Sequence, residues 1–243
     1  MLLTREPPDN DALAARVREH GWPVLEWPAL ATELLPPPAG RDGLTADLER
    51  ASWVVPTSRR ALRGLLAGLD DDLPTLTRLL ASCQVASIGP ATSRELVRLG
   101  LQPALEAPGT GDEALATLLL DRLEAPARCL LVRSAAADER FPDRLRAAGH
   151  EVEDRRLHRP VEPAPRQDDE RPLAAVHCAS PSAARRLLSW NPWLTAVPFV
   201  ALGPTTAEAL EREGVTRVVQ AAGPELDDVM TALATCLASS DHR

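Results

Sequence analysis

The stretch from Ile88 to Ala107, IGPATSRELVRLGLQPALEA, returns 114 positions later from Leu202 to Ala221, as LGPTTAEALEREGVTRVVQA. Seven positions match, including a Gly-Pro pair near the start of each copy and the glycines Gly100 and Gly214. In both copies a short apolar run precedes Gly-Pro, a helical pattern follows it, and a glycine stands where that helix should end. Each copy is therefore a strand–helix unit, and the chain is predicted to be an α/β protein built from repeats.

Two further pairs of segments extend the repeat. Thr57 to Ala61 (TSRRA) is similar to Ala179 to Ala183 (ASPSA), and Leu2 to Arg5 (LLTR) is similar to Leu130 to Arg133 (LLVR). The LLVR unit comes last in the middle copy, whereas LLTR opens the whole chain. This displaced order predicts that one domain is inserted into its sibling, with two chain crossings between them.

The predicted boundaries follow from this order and from the proline-rich stretches. Residues 1–30 and 172–243 are expected to form one domain with two plus three strands, and residues 40–160 an inserted domain with five strands. Residues 31–39 and 161–171 are expected to be the linker segments. The predicted strands are Leu2–Leu3, Pro23–Trp27, Trp53–Val55, Val85–Ile88, Pro103–Glu106, Cys129–Val132, Val152–Leu157, Ala174–His177, Phe199–Leu202 and Val218–Gln220.

Composition narrows the class of protein. The net charge of −8 argues against a general nucleic-acid binder, which needs a basic face. No apolar run is long enough for a transmembrane helix, and MLLTREPPDN lacks the regions of a signal peptide, so a cytoplasmic protein without a membrane partner is expected. The four cysteines form no CxxC pair and are expected to be reduced and buried.

The acidic clusters and histidines show no metal-binding pattern. Asp70-Asp71-Asp72 and Asp168-Asp169-Glu170 are interpreted as solvated loops, and His177-Cys178 as part of a buried strand. The sequence has no GxGxxG, Walker A or nucleophile-elbow motif, which excludes the usual dinucleotide, nucleoside triphosphate and esterase interpretations.

The strand–helix junctions indicate where a ligand binds. In parallel α/β sheets ligands lie beyond the carboxyl ends of strands, near helix N-termini whose free amides favour anions. Helix capping alone explains any single Ser, Thr or Gly there. Six such junctions in two related domains favour a site for a large ligand with several negative charges.

The chain resembles the uroporphyrinogen-III synthase family from about Leu2 to Leu233. The resemblance rests on LLTREPPDNDALAARVREHGW, WVVPTSRRAL, ASIGPATSRELVRLG, LLVRS with LRAAGHEVEDRRLHR, HCASPSAARRLL and ALGPTTAEALEREGV. It implies two flavodoxin-like parallel-sheet domains, one inserted into the other and joined by a two-segment linker. It also implies a monomer that needs no metal or cofactor.

The activity implied by the resemblance is the cyclisation of hydroxymethylbilane, a linear tetrapyrrole with eight carboxylates, to uroporphyrinogen III. The substrate loses its hydroxyl as water, a spiro intermediate forms at ring D, and the chain recloses with ring D inverted. Carried over by motif, the substrate-binding residues are Thr4, Arg5, Thr57, Ser58, Gly89, Ser180, Ser182, Gly203, Thr205 and Thr206.

One position departs from the family pattern. Where the family has a tyrosine thought to assist loss of the hydroxyl, this chain has His158, and it contains no tyrosine at all. His158 is predicted to be the catalytic proton donor, titrating near neutral pH, with a bystander in the linker as the alternative. The departure also leaves open a non-catalytic two-domain protein that binds or senses a tetrapyrrole or another polyanion.

Overall fold

The computed structural model of the chain describes residues 1–7, 9–107, 112–124, 126–165 and 172–238. These residues form two compact units. The terminal unit consists of Met1–Ala31 with Val161–Arg243, and the inserted unit consists of Thr32–Pro160.

The elements alternate between strands and helices along the chain. In order they are β1 (Leu2–Leu3), α1 (Asp11–Glu19), β2 (Leu25–Glu26), β3 (Ala31–Leu34), α2 (Gly40–Arg50), β4 (Trp53–Pro56), α3 (Arg59–Gly68), α4 (Leu73–Ala81), β5 (Gln84–Ile88), α5 (Gly89–Arg98), β6 (Leu105–Ala107), α6 (Asp112–Leu120), β7 (Arg128–Ser134), α7 (Arg140–Ala147), β8 (Glu151–Val161), β9 (Val176–Cys178), α8 (Pro181–Trp190), a 3₁₀ segment (Pro192–Ala196), β10 (Phe199–Ala201), α9 (Pro204–Arg212), β11 (Val218–Gln220) and α10 (Leu226–Ala238).

The terminal unit is a five-stranded sheet in the order β11-β10-β9-β1-β2, with parallel pairing throughout. Alternate residues of β1 face opposite sides, as strand geometry requires. Leu2 belongs to a core cluster with residues of α8 and α9, whereas Leu3 belongs to one with residues of α1 and α10. Helices therefore cover both faces, as expected for a parallel sheet.

The inserted unit is a six-stranded sheet in the order β3-β8-β7-β4-β5-β6. Its central strand β7 is buried from Cys129 to Arg133 and lies between two apolar clusters, one with residues of α2 to α5 and one with residues of α6 and α7. Two helix-covered sheets, one inserted into the other along the chain, confirm the predicted fold class.

The inserted sheet has one strand more than predicted. Residues 31–34 were assigned to a linker, but they form β3 beside β8, and the Leu35 amide donates to the Leu157 carbonyl at 2.9 Å. Arg159 and Glu33 add an ion pair at 2.7 Å. The prediction of five strands was wrong because β8 extends to Val161, past the predicted end at Leu157, and its far end pairs with a segment of weak strand propensity.

Candidate functional site

The first junction of the terminal unit, β1 to α1, has a buried side and an accessible side. Thr4 is 1% exposed, and its hydroxyl donates to the His177 carbonyl at 3.0 Å. Arg5 follows with a partly exposed guanidinium that contacts Asp9 at 3.3 Å. Asn10 is fully buried and its side-chain amide donates to the Arg5 carbonyl. Hydrogen bonds of the buried Thr4 and Asn10 side chains thus hold the backbone of this junction, while the Arg5 side chain lies at its surface.

The second junction, β9 to α8, is capped by a serine. Ser180 is the N-cap of α8, with its Oγ accepting from the Ala183 amide at 3.2 Å and lying 3.3 Å from the Ser182 Oγ. Ser180 is partly exposed and Ser182 is exposed. Capping and ligand contact are compatible here, because a hydroxyl has a donor as well as two acceptor sites.

The third junction, β10 to α9, is the most open of the terminal unit. Gly203 is the N-cap of α9 in an extended conformation, and a Cβ built on it would meet nothing within 4 Å. Thr205 is exposed, whereas Thr206 is 3% exposed on the inner side of the helix. Since β10, β9 and β1 are parallel neighbours, Gly203, Ser180 and Arg5 lie at one edge of the sheet.

In the inserted unit, the carboxyl ends of β7, β4 and β5 form an equivalent edge of the sheet. Ser58 is the N-cap of α3, its Oγ accepting from the Ala61 amide at 3.1 Å, and the Thr57 hydroxyl donates to the Val132 carbonyl at 3.4 Å. Gly89 has φ of 68° and is the first residue of α5. Its counterpart Gly203 is instead the N-cap that precedes α9. The two Gly-Pro copies therefore share a sequence but differ in backbone conformation.

His158 lies on β8, after an irregularity of the β7–β8 ladder that places it opposite Ser134. It is 5% exposed, and its Nδ1 is buried without a hydrogen-bond partner among the described residues. Burial, and secondarily the charge of Arg60, lowers the pKa of His158 to about 4. This differs from the expected titration near neutral pH, because burial keeps the imidazole neutral well below pH 7.

The acidic and sulfur-containing side chains do not suggest a metal. Within the described ranges, no three His, Cys, Asp or Glu side chains come together as a metal site. Arg41 binds Asp70 at 3.2 Å and Asp72 at 2.8 Å, and Asp72 caps α4. The Asp168–Glu170 cluster lies outside the described residues. The four cysteines are free, and burial raises the pKa of Cys83, Cys129 and Cys178 to about 11.

Across the parts of the chain that the structure describes, every helix is too short or too polar to span a bilayer.

The family model described as uroporphyrinogen-III synthase HemD matches residues 11–231. The chain belongs to the uroporphyrinogen-III synthase family. The match spans both units and most of the junctions described above.

Solved structures of the same fold agree with this family. A mutant uroporphyrinogen III synthase from the extremely thermophilic bacterium Thermus thermophilus is 20% identical, with 98% of each chain covered and a TM-score of 0.54. Uroporphyrinogen-III synthetase from Helicobacter pylori is 15% identical, with 96% of this chain and 98% of that chain covered and a TM-score of 0.56. At these identities the likeness shows the fold.

Not all of the side chains assigned from the uroporphyrinogen-III synthase resemblance lie where a ligand could reach them. Arg5, Ser180, Ser182, Gly203 and Thr205 lie together at the edge of the terminal sheet, and Thr57, Ser58 and Gly89 at the edge of the inserted sheet. The hydroxyls of Thr4 and Thr206 are instead directed into the terminal unit. Motif matching missed this difference because it depends on which face of the strand or helix each side chain occupies.

One buried residue was interpreted only as part of a strand. His177 is 2% exposed, and neither of its ring nitrogens has a hydrogen-bond partner among the described residues. Burial, followed by the charge of Arg5, lowers its pKa to about 4. The signal that could have identified it is the repeat, since the matching residue before TSRRA is Val55, an apolar residue at the same place in the inserted sheet.

Proposed function

We propose that this chain catalyses the uroporphyrinogen-III synthase reaction, the cyclisation of hydroxymethylbilane with loss of water and inversion of ring D. The observation that carries the proposal is the family match over residues 11–231. No observation favours the alternative of a non-catalytic binding or sensing protein. We further propose that the enzyme acts as a cytoplasmic monomer whose partner is its small-molecule substrate.

The chemistry asks mainly for control of geometry. When the C–O bond of the hydroxymethyl group breaks, the ring A pyrrole nitrogen gives up its proton, the hydroxyl gains a proton and leaves as water, and an electrophilic azafulvene remains on ring A. Closure at the free end of ring D gives the wrong isomer, whereas attack by its substituted carbon gives the spiro intermediate. The enzyme therefore has to hold the two ends in the less accessible arrangement and exclude the direct closure.

The two sheet edges are proposed to hold the substrate by its carboxylates. In the terminal unit, Arg5 supplies charge, Ser180 and Ser182 supply hydroxyls, and the N-terminus of α9 at Gly203 and Thr205 supplies backbone amides. The open space in front of Gly203 lets a carboxylate approach the backbone closely. Thr57, Ser58 and Gly89 are proposed to serve the same purpose in the inserted unit. Thr4 and Thr206 support these junctions from inside.

His158 is proposed to assist departure of the hydroxyl as a neutral hydrogen-bond donor. With a pKa of about 4, only about one molecule in a thousand carries the imidazolium at pH 7. A neutral imidazole still has one N–H, which can donate to the leaving oxygen. The proton that completes the water is balanced by the one that the ring A pyrrole nitrogen releases, so His158 need not transfer its own.

The decisive experiment supplies enzymatically generated hydroxymethylbilane and resolves the type I and type III isomers of the product. We expect type III to dominate with the wild-type chain. Arg5→Ala and Ser182→Ala should each raise KM, since a lost contact to a charged group is worth about 1.5–3 kcal/mol. Product with the isomer ratio of the uncatalysed closure would overturn the proposed function.

For His158, we expect His158→Ala to lower kcat by about 10²-fold, the low end for losing one positioned hydrogen-bond donor to a developing negative charge, with little change in KM. The wild-type rate should stay flat between about pH 6 and 8, because the group does not titrate there. His158→Tyr should retain activity, since a phenol also donates at neutral pH. Wild-type kcat in His158→Ala would show that the residue is a bystander, with the isomer assay of the wild type unaffected.

A further inference from the structure

The terminal unit contains a cavity of about 340 Å³ beside its edge strand β2. Four segments enclose it: the loop after β1, the chain that leaves β2, the chain that returns after β8, and the C-terminal half of α8. The residues that matter for its chemistry are Glu6, Trp27, Pro28, Pro163, Leu187 and Trp190. None of them was assigned to the site from the sequence.

The side chains that line this cavity are mostly apolar, several of them are flat rings, and two of them belong to the core. Trp27 is 3% exposed and Leu187 is 1% exposed, and both belong to the core cluster beneath α8 and α9. Trp190 is half-buried at the last turn of α8, where the Asn191 amide closes the helix on the Leu187 carbonyl at 3.0 Å. Indole and proline rings of this kind suit a flat aromatic ring.

A cation and its two partners adjoin, in the chain, residues that line the cavity. Arg186 precedes Leu187 on α8, and its guanidinium donates to the Ala29 carbonyl at 3.1 Å and pairs with Glu162. The Arg186 side chain is 22% exposed but that of Glu162 is 79% exposed. An exposed carboxylate contributes little to such a pair, so a carboxylate of a ligand can replace it on Arg186.

The size of the cavity limits the ligand. Pockets for drug-sized molecules measure about 300–1,000 Å³, and this one lies at the lower end. It has room for one five-membered ring with short acid side chains but not for four linked rings. Glu6 also lines the cavity.

We propose that this cavity, which we call the Trp27–Trp190 pocket, binds one carboxylate-bearing pyrrole ring of the tetrapyrrole. The ring lies against the Trp190 indole, above the small part of Trp27 that reaches the cavity, and one of its carboxylates binds Arg186. The proposal rests on the proposed function, and it adds a ring-binding site to the carboxylate contacts of the sheet edges. It also gives the terminal unit a means of holding one end of the linear substrate.

The test compares two variants of the pocket with a matched control. Trp190→Ala removes one wall, and Ala164→Trp fills the pocket from an exposed position, so it leaves the core intact. Trp193→Ala removes another tryptophan, one that does not line the pocket. One readout is KM for hydroxymethylbilane, and the other is quenching of tryptophan fluorescence by porphobilinogen, a monopyrrole with acetate and propionate side chains.

We expect both pocket variants to raise KM about tenfold, with kcat within about twofold, and to weaken saturable quenching by the monopyrrole. Trp193→Ala should change neither KM nor the midpoint of quenching, and Arg186→Gln should weaken binding and reduce its salt dependence. If the wild type forms the type III isomer but both pocket variants keep wild-type KM and quenching, the pocket proposal is wrong and the proposed function stands. If quenching depends on Trp190 but no type III isomer forms, the pocket stands and the function fails.

Discussion

The two copies of one short motif, Leu2-Leu3-Thr4-Arg5 and Leu130-Leu131-Val132-Arg133, end in very different surroundings. The Arg133 side chain is fully buried and binds both carboxylate oxygens of Asp154, at 3.1 and 2.8 Å. The Arg5 side chain is 33% exposed and contacts Asp9 at 3.3 Å. The repeated arginine is thus a fully buried ion-pair partner within β7 of the inserted unit, and a partly exposed side chain two positions after β1 in the terminal unit.

The neighbouring strand shows the same division. Val55, on β4 beside β7, packs into an apolar cluster with Leu131 and Phe141. Its counterpart on β9 is His177, which is buried beside β1 with both ring nitrogens lacking a partner in the described structure. The interior of this junction in the inserted unit thus consists of apolar contacts and a fully hydrogen-bonded ion pair. In the terminal unit the same place holds the imidazole of His177, whose nitrogens lack hydrogen-bond partners in the described structure.

The largest expected effect is on the arginine pair. Arg133→Ala leaves the 9%-exposed Asp154 carboxylate without its principal partner, and we expect the free energy of unfolding to fall by about 3–5 kcal/mol. Arg5→Ala, the matched change, should lower it by less than about 1 kcal/mol. Urea unfolding of the two variants measures the difference. Equal losses would mean that the two junctions are not distinct in stability.

A second test uses pH. His158 and His177 both have their pKa lowered to about 4, so between about pH 6.5 and 4 the unfolded chain binds protons that the folded chain does not. Stability is therefore complete above about pH 6.5 and falls as the pH drops toward 4, by about 3 kcal/mol for each histidine. His177→Val should remove about half of this loss. A stability that is flat from about pH 6.5 to 4.5 would contradict the assignment of both residues as buried and neutral.

The third prediction exchanges the two counterparts on the neighbouring strands. His177→Val removes unsatisfied polar atoms from the terminal core and should raise the free energy of unfolding at pH 7 by about 1–3 kcal/mol. Val55→His places such atoms in the inserted core and should lower it by a similar amount. Thermal denaturation of both variants provides the measurement. Destabilisation by His177→Val would show that the imidazole packs better than an aliphatic side chain there.

The smallest expected difference concerns the Gly-Pro repeat. Gly89→Ala forces a side chain into the left-handed region, at φ of 68°, and should lower stability by about 1–2 kcal/mol. Gly203→Ala keeps an extended backbone with open space in front of it, so its stability should change by less than about 0.5 kcal/mol. Its effect should appear in KM instead. The denaturant midpoints of the two variants measure the backbone strain, and their KM values measure how closely the ligand can approach.

How far the sequence predicts this molecule depends on how local each feature is. The glycines Gly100 and Gly214 are predicted at helix ends from their sequence positions alone, and both have positive φ after a helix. Strand β3 was missed because its pairing depends on how far β8 extends, more than a hundred residues away. Residues that act through short-range backbone geometry are thus the predictable ones.

The site was predictable as a set of junctions but not as a set of side-chain environments. The motif placed His158 at the family's catalytic position, yet its pKa depends on burial and on Arg60, nearly a hundred positions earlier in the chain. The inward direction of the Thr4 hydroxyl likewise depends on the distant carbonyl of His177. Such features arise only when remote segments pack together.

The insertion also has a consequence for biosynthesis. Thr4 and its partner His177 are 173 residues apart in the chain, whereas every strand of the inserted unit lies within one continuous segment. During translation the inserted unit has all of its sheet available while β1 and β2 still lack β9, β10 and β11. The apolar β1 must therefore wait for β9 until the last third of the chain is made, so the terminal sheet can close only after the whole inserted segment has been synthesised.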